Sequence, residues 1–351
     1  MELLKILENK NFSEVKELVT KDPYFISVKE LDNLYMLIYN EEKSDFSIPF
    51  VCECNGIILE KNTNKIICYL LDHKKDIHVD DDVKYYEYID GTLIKLFYYN
   101  NEWRLATSRC IDANKSKWIS PKSFAELFEE CKNSNGVLGN YDNLNKNYCY
   151  GFVICHVENR IVKKYEENKL YHVLTRNLDN LEIINIDINV QKPYELSQED
   201  MSIVENNGNE DAIFMFCGNK HNIYYNPMYK NTSLLRINTN NLLFEYITNY
   251  CRGDIDIYTN KYNEWSNNFK EYEYKMAKLV NRLHRAYMDY HVTRVKILKQ
   301  INKMYHKHIY ALHGKRLNSE KDRIIITKDI VRDYIYKLDP KQIMHMLNKN
   351  Q

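Results

Sequence analysis

The densest run of chemistry-bearing side chains lies late in the chain. Lys275, Lys278, Arg282, Arg285, Arg294, Lys296, Lys299, Lys303, Lys307, Lys315 and Arg316 are interrupted there by a single acid, Asp289. Cationic groups strung along a helical segment suit a phosphate backbone, because each neutralised phosphate releases a condensed counterion. Tyr287, Tyr290, His291, Tyr305, His306 and His308 are interleaved with them, and flat rings of this kind stack on unpaired bases. RNA is the partner this pattern predicts, with a solvated helical face packed on the rest of the protein as the plainer alternative. His284, His306, His308 and His313 have no cysteines or carboxylates at regular ligand spacing, so no metal site is expected there.

The elements that must position these groups follow from pattern and composition. A chain of 351 residues has room for two or three domains. With 44% hydrophobic and 28% charged residues it has the composition of a folded protein rather than a disordered one. Net charge is formally zero, but the residues from about 261 onward carry about eleven more basic than acidic side chains, so a basic tail domain is balanced by an acidic remainder. The nine cysteines are scattered without CxxC pairs, which predicts a reduced, cytoplasmic protein without structural zinc. Met1 to Asn11 lacks the continuous apolar core of a signal peptide, and no run reaches membrane-spanning length. The 30 tyrosines accompany abundant Asn and Lys and scarce Gly and Pro, so tyrosine richness is not read as function.

Apolar spacing predicts two short amphipathic helices within 2–20, the second capped by Ser13. Short apolar runs dominate from Tyr35. They give a hairpin of 57–59 with 66–69 across Asn62-Thr63-Asn64, and a second of Leu93–Tyr99 with Trp103–Ser108 across Asn100-Asn101. Further strands are predicted at Tyr148–His156, Lys169–Arg176, Leu181–Ile188, Ala212–Cys217 and Asn222–Tyr225, with a helix at Phe124–Cys131. Beyond about Cys251, Phe269, Tyr272, Met276, Leu279, Val280, Leu283, Tyr287, Val292, Val295 and Leu298 fall at three- and four-residue intervals, a helical signal. The predicted domains are a helical lead-in over 1–50, a strand-rich domain over 51–250 and a basic helical domain over 251–351.

Within the strand-rich stretch, Tyr88-Ile89-Asp90-Gly91-Thr92 is followed by the hairpin that ends Trp103-Arg104-Leu105-Ala106-Thr107. Upstream stands Glu53-Cys54-Asn55-Gly56. Downstream come Asn159-Arg160-Ile161-Val162, then Glu210-Asp211-Ala212-Ile213-Phe214, then Asn226-Pro227-Met228-Tyr229. In order and spacing these resemble the KxDG, ECRG, NRIV, EGxV and KxK motifs of phage-type RNA ligases. Those ligases belong to the covalent nucleotidyltransferase superfamily, shared with DNA ligases and capping enzymes. The helical stretches Tyr262–Asp289 and Thr327–Leu347 also resemble a domain attached to this core in proteins of large DNA viruses. The resemblance covers about 50–250 and implies an α+β fold: a ligase-like, ATP-grasp-related core of antiparallel sheets with flanking helices, followed by an all-helical carboxy-terminal domain.

The departures from those motifs bear on chemistry. In the active family the first-motif lysine attacks the α-phosphate of ATP or GTP; here that position is Tyr88, a phenol with an ordinary pKa near ~10. Lys84 and Lys95 lie several residues away along strands, too far to substitute. The ECRG arginine becomes Asn55, the glutamate before NRIV becomes Val153, and the two phosphate-binding lysines of the KxK strand become Ile223 and Tyr225. The charge that phosphoryl transfer requires is lost with them.

If the fold is that of the family, Tyr88 and Tyr225 face a nucleotide pocket and offer rings to a base or to a cationic purine such as a methylated guanine. Asp90 and Gly91 hold its turn, Lys95, Arg104 and Arg160 reach phosphates, and Glu210 takes a ribose hydroxyl or a metal. The plain alternatives are tyrosines that fill space, an Asp-Gly turn, and an Arg160 paired with Glu158 or another carboxylate. The predicted protein is a catalytically degenerate ligase or capping-enzyme relative that binds RNA, at its 5′ end or cap, through the old pocket and the basic helices. No residue is assigned a catalytic or metal-ligating role. An active RNA ligase with an atypical nucleophile, using ATP or GTP with Mg2+, and a structural subunit without nucleotide affinity are the alternatives. A cytoplasmic protein, in the host cytoplasm if viral, is expected.

Overall fold

The computed structural model describes residues 1–74, 83–206, 208–217, 220–237, 239–318 and 324–348. It divides into two compact units, Met1–Leu234 and Leu235–Gln351.

The first unit opens with helices α1 (Glu2–Leu7) and α2 (Phe12–Val19). Asn11, not Ser13, caps α2. Its side chain accepts the Glu14 N–H while the Glu14 carboxylate accepts the Asn11 N–H, and this reciprocal box leaves Ser13 inside the first turn. Strands β1 (Ser27–Leu31) and β2 (Leu34–Ile38), helix α3 (Pro49–Glu53), and strands β3 (Asn55–Glu60) and β4 (Ile66–Cys68) follow. The four strands form an antiparallel sheet in chain order. Glu53, the acid of the ECRG-like segment, accepts the N–H groups of Glu2 and Leu3 at 2.9 and 2.7 Å and so ties α3 to the first turn of α1.

Next come β5 (Lys84–Glu87), β6 (Thr92–Tyr99), β7 (Glu102–Thr107), α4 (Phe124–Asn135), β8 (Tyr148–Cys155) and β9 (Lys169–Asn177). They are followed by β10 (Ile183–Ile184), α5 (Gln198–Asn206), β11 (Ala212–Cys217), β12 (Lys220–Tyr225) and α6 (Pro227–Leu234). A five-stranded sheet has the order β10-β9-β8-β6-β7 and a three-stranded sheet the order β12-β11-β5, all antiparallel. Asn100 and Asn101, both at positive φ, make the tight β6–β7 turn. The strand predicted over Leu181–Ile188 shrinks to Ile183–Ile184, because Leu181 enters the left-handed region and only two residues pair with β9.

Burial orders these elements into layers. Leu3, Leu7, Val15 and Val19 pack with Tyr35, Leu37 and Ile57 on one face of the four-stranded sheet. Met36, Ile58 and Cys68 on its other face meet Phe97 and Cys149 of the five-stranded sheet. The far face of that sheet, with Ile94, Leu96, Tyr150 and Phe152, takes Leu127 and Phe128 of α4. Both faces of β6 are thereby covered.

Among its described residues the second unit is helical: α7 (Leu242–Arg252), α8 (Ile255–Lys261), α9 (Ser266–Tyr287), α10 (His306–Leu317), α11 (Lys328–Tyr336) and α12 (Pro340–Asn348). The expected boundary at 250/251 falls within α7. Phe269, Tyr272, Met276, Leu279, Val280, Leu283 and Tyr287 form the buried stripe of α9, as their spacing predicts. The predicted continuation reaches Val292 only as a π-turn and does not extend to Val295. Helix α9 ends in a π-turn over Met288–Val292, the amide and hydroxyl of Thr293 both donate to the Met288 carbonyl, and Arg294 turns left-handed. Val295 is left 69% exposed. Among the described residues no helix is long and apolar enough to cross a membrane.

Candidate functional site

Tyr88 to Gly91 is the passage between two sheets: β5 ends at Glu87 in the three-stranded sheet and β6 begins at Thr92 in the five-stranded one. The Tyr88 N–H donates to the Ala212 carbonyl at 3.0 Å, so the segment leaves its first sheet still hydrogen-bonded to β11. Gly91 is required by close packing, since a Cβ there would lie 2.4 Å from the Ile154 carbonyl oxygen and 2.6 Å from Val153 Cγ1. Val153, at the position of the missing glutamate, thus packs against this turn, in a cluster with Ile89 and Tyr171.

Asp90 is buried, yet both oxygens of its carboxylate are engaged. Oδ2 accepts the N–H groups of Val162 at 2.9 Å and Lys163 at 2.6 Å, and Oδ1 accepts the Tyr229 hydroxyl at 2.8 Å. Burial raises its pKa, while the bonds from Tyr229, Lys163 and Val162 pull the other way. The NRIV-like segment therefore reaches Asp90 through its backbone. Its two polar side chains bond locally: Asn159 donates to Thr92 Oγ1 at 2.9 Å, and buried Arg160 donates from Nε to the Val162 carbonyl at 3.1 Å.

The positions of the first-motif lysine and the second KxK lysine do come together. Tyr88 and Tyr225 meet edge-to-face with centroids 5.9 Å apart; Tyr88 and Tyr229 meet likewise at 5.9 Å; Tyr225 and Tyr229 stack at 5.2 Å and 14°. Ile223, Ile161, Val162 and Ala212 complete the apolar surround. Burial, then Tyr225 and Asp90, push the Tyr88 phenol well above its ordinary pKa, so it stays protonated and weakly nucleophilic at neutral pH. A base sandwiched between two rings needs roughly 7 Å between their planes, two contact distances of about 3.5 Å. The stacked faces of Tyr225 and Tyr229 already occupy that space with each other.

The remaining predicted residues fall elsewhere. Lys95, only 2% exposed, lies between the two large sheets and donates to the Asn55 and Gly56 carbonyls at 3.0 and 2.8 Å; burial lowers its pKa. Lys84 is exposed, with Glu195 4.0 Å away. Arg104 pairs with Glu102 at 2.5 Å and lines a cleft of about 630 Å3 that also contains Asp112, Glu126, Glu129 and Glu130, an acid-rich setting for a phosphate ligand. Glu210 accepts the Thr232 hydroxyl of α6 at 2.5 Å. Asn55, in place of the ECRG arginine, donates to the Asp72 carbonyl at 2.9 Å.

Two residues at the site were not singled out as functional from sequence. Tyr229 arrives because the Asn226 side chain accepts the Tyr229 N–H at 2.8 Å and starts α6, turning the chain back over Tyr225. An Asn-Pro pair directly after a strand was the available signal. Lys163 follows the NRIV-like run and pairs through Nζ with Asp211 at 2.6 Å. These side chains fit a triphosphate poorly: Tyr88, Ile223 and Tyr225 supply no positive charge, and the Lys163 ammonium is already matched by a carboxylate. Among the described residues no group of three or more His, Cys, Asp or Glu is arranged to hold a metal ion.

In the second unit, Lys275, Lys278 and Arg282 line one cleft of about 260 Å3 together with exposed Tyr274. Lys275 pairs there with Glu271 at 2.6 Å, and Lys278 lies 5.8 Å from the Tyr274 ring centroid. Arg285, Arg294 and Lys299 are exposed, Lys296 pairs with Asp289 at 2.7 Å, and Lys303 lines a different cleft.

No protein-family profile matches the chain. A protein of Autographa californica nuclear polyhedrosis virus, named "Putative bifunctional polynucleotide kinase/RNA ligase", is 27% identical over 181 residues, which is 44% of this chain and 26% of that protein. A "Putative RNA-ligase" of African swine fever virus (isolate Tick/Malawi/Lil 20-1/1983) is 27% identical over 154 residues, 36% of this chain and 34% of that protein. An RNA ligase of Rhodothermus phage RM378 is 33% identical over 104 residues, 28% of this chain and 24% of that protein. The chain spans about a quarter to a third of the length of these relatives. Over the parts they share, this chain is similar to viral proteins that are named as RNA ligases.

Proposed function

We propose that this protein is a catalytically silent RNA-ligase relative that binds RNA through its basic helical unit. The observation that carries the silence is the filling of the site at Tyr88: three tyrosine rings pack on one another at the positions that the resemblance sets against the family's lysines, and the Tyr229 hydroxyl occupies Asp90 Oδ1. An adenylyl or guanylyl transfer needs an amine nucleophile and cations on the phosphates, and this arrangement supplies neither. Binding is supported by the cationic side chains that line two clefts of the second unit, and by relatives named as acting on RNA.

The experiment is a titration of the full chain with fluorescent single-stranded RNA of about 12 nucleotides, alongside ATP, GTP and cap analogue. Saturable RNA binding that weakens steeply with salt is expected, with a slope of about −0.7 per phosphate contacted. Silence toward every ligand would overturn the reading in favour of a purely structural subunit. Cap analogue or a nucleotide that competes with the RNA would move the binding site back to Tyr88, where Tyr225 and Tyr229 must then part to admit a base.

A further inference from the structure

The second cleft of the helical unit, about 520 Å3, has a composition that neither the ligase resemblance nor the basic run anticipates. Lys303, in the 3-10 turn that leads into α10, and Lys307, in the first turn of α10, stand four residues apart, and Lys341 and His345 stand one turn apart on α12; all four are exposed. Beneath them lie Met304 and buried Met346 and His308. Among the described residues no acid lines the cleft. Lys303, Lys307 and Lys341 take part in no ion pair among the described residues, unlike Lys275 and Lys296, whose charges are matched by Glu271 and Asp289. His308 donates to or accepts from the Tyr334 hydroxyl at 2.8 Å, and burial draws its pKa down to about 4, so the floor stays uncharged at neutral pH. Asp339, which precedes α12, accepts the Lys341 N–H at 2.7 Å and serves as its cap.

A partly exposed thioether, Met304, backed by the buried Met346 and set under a rim of unmatched ammonium groups, suits one kind of occupant: a flat, uncharged ring carried between two anions. We propose that this cleft holds a single unpaired nucleotide of an RNA strand, its base against Met304 and its flanking phosphates on Lys303 and Lys307 on one side and Lys341 on the other. The proposal rests on the RNA-binding reading above and locates it, adding Lys341 and His345 to the residues that sequence pointed to.

The test uses the full chain, the same single-stranded RNA, an abasic strand of equal length, and inorganic polyphosphate. Replacing the exposed Lys303, Lys307 and Lys341 together by alanine should weaken RNA binding about ten-fold or more near ~100 mM salt and flatten the salt slope by about 2, with an unchanged circular dichroism melt. The abasic strand should bind the parent more weakly than the RNA. If the parent binds RNA while the triple variant binds as tightly and Lys275→Ala/Lys278→Ala/Arg282→Ala does not, RNA binding stands and this cleft is wrong. If polyphosphate or the abasic strand competes as well as the RNA, the cleft is a general polyanion site and the proposal fails. A parent that binds no RNA overturns both.

Discussion

The Tyr229 hydroxyl donates to Asp90 Oδ1 at 2.8 Å, and with the Val162 and Lys163 amides on Oδ2 it completes the hydrogen bonding of a buried carboxylate. The aspartate of the KxDG-like segment thereby joins three separate parts of the chain: the β5–β6 passage, the end of the NRIV-like run with Lys163, and the first turn of α6. Its role in this structure is to hold the site together, with its acceptors turned inward.

Removing that donor should be felt in stability. Tyr229→Phe keeps the ring contacts with Tyr225 and Tyr88 but leaves Asp90 Oδ1 without a partner, which should cost about 1.5–3 kcal/mol, the range for a bond to a charged group. Urea unfolding measures it. A loss smaller than ~0.5 kcal/mol would show that the Asp90–Tyr229 contact contributes little.

Restoring the amine alone should not restore chemistry. Tyr88→Lys puts a nucleophile at the first-motif position but leaves Ile223 and Tyr225 where phosphate-binding cations stand in the active family, and it deletes two edge-to-face ring contacts worth about 1–3 kcal/mol together. The variant should be less stable and should take up no label from α-labelled ATP or GTP. Labelling of this single variant would mean that the rest of the site is still competent.

Much of the fold was legible because it is local. The Asn100-Asn101 turn fixed the β6–β7 hairpin, and Tyr88 and Tyr225 lie together because Tyr88, just past β5, bonds to Ala212, the β11 residue that pairs with Tyr225 at the end of β12. Lys95 was misleading for a physical reason. It shares a face with Phe97, but both faces of β6 are covered, so no alternation of polar and apolar residues warned that its amine points into the protein. Arg104 looked like a phosphate ligand until the hairpin carried it to an acid-rich cleft. The helical period ran past Tyr287 into Val292 and Val295 because periodicity alone cannot register a Thr293 that closes the helix end. Strand β1 was missed because only Val28 and Leu31 among its residues are apolar, and neither is fully buried.

Buried histidines give the protein a pH signature. His172 donates to or accepts from Thr175 Oγ1 at 2.7 Å inside the five-stranded sheet, and burial draws its pKa from 6.5 down to about 4. As pH falls below 6.5 the unfolded chain takes up a proton that the folded chain refuses until about pH 4, so stability is lost across that window as pH falls. The contribution of this one group is on the order of 2–3 kcal/mol. His172→Gln should therefore show a shallower loss of unfolding free energy between pH 6.5 and 4 than the parent; parallel curves would contradict the assignment.

The central claim is that the site at Tyr88 no longer forms a covalent nucleotide intermediate. Its most direct test is the intact mass of the full chain after incubation with ATP or GTP and Mg2+ or Mn2+, with and without RNA. The account predicts an unchanged mass under every condition, and a gain of one nucleoside monophosphate, mapped to any residue of the chain, would contradict it.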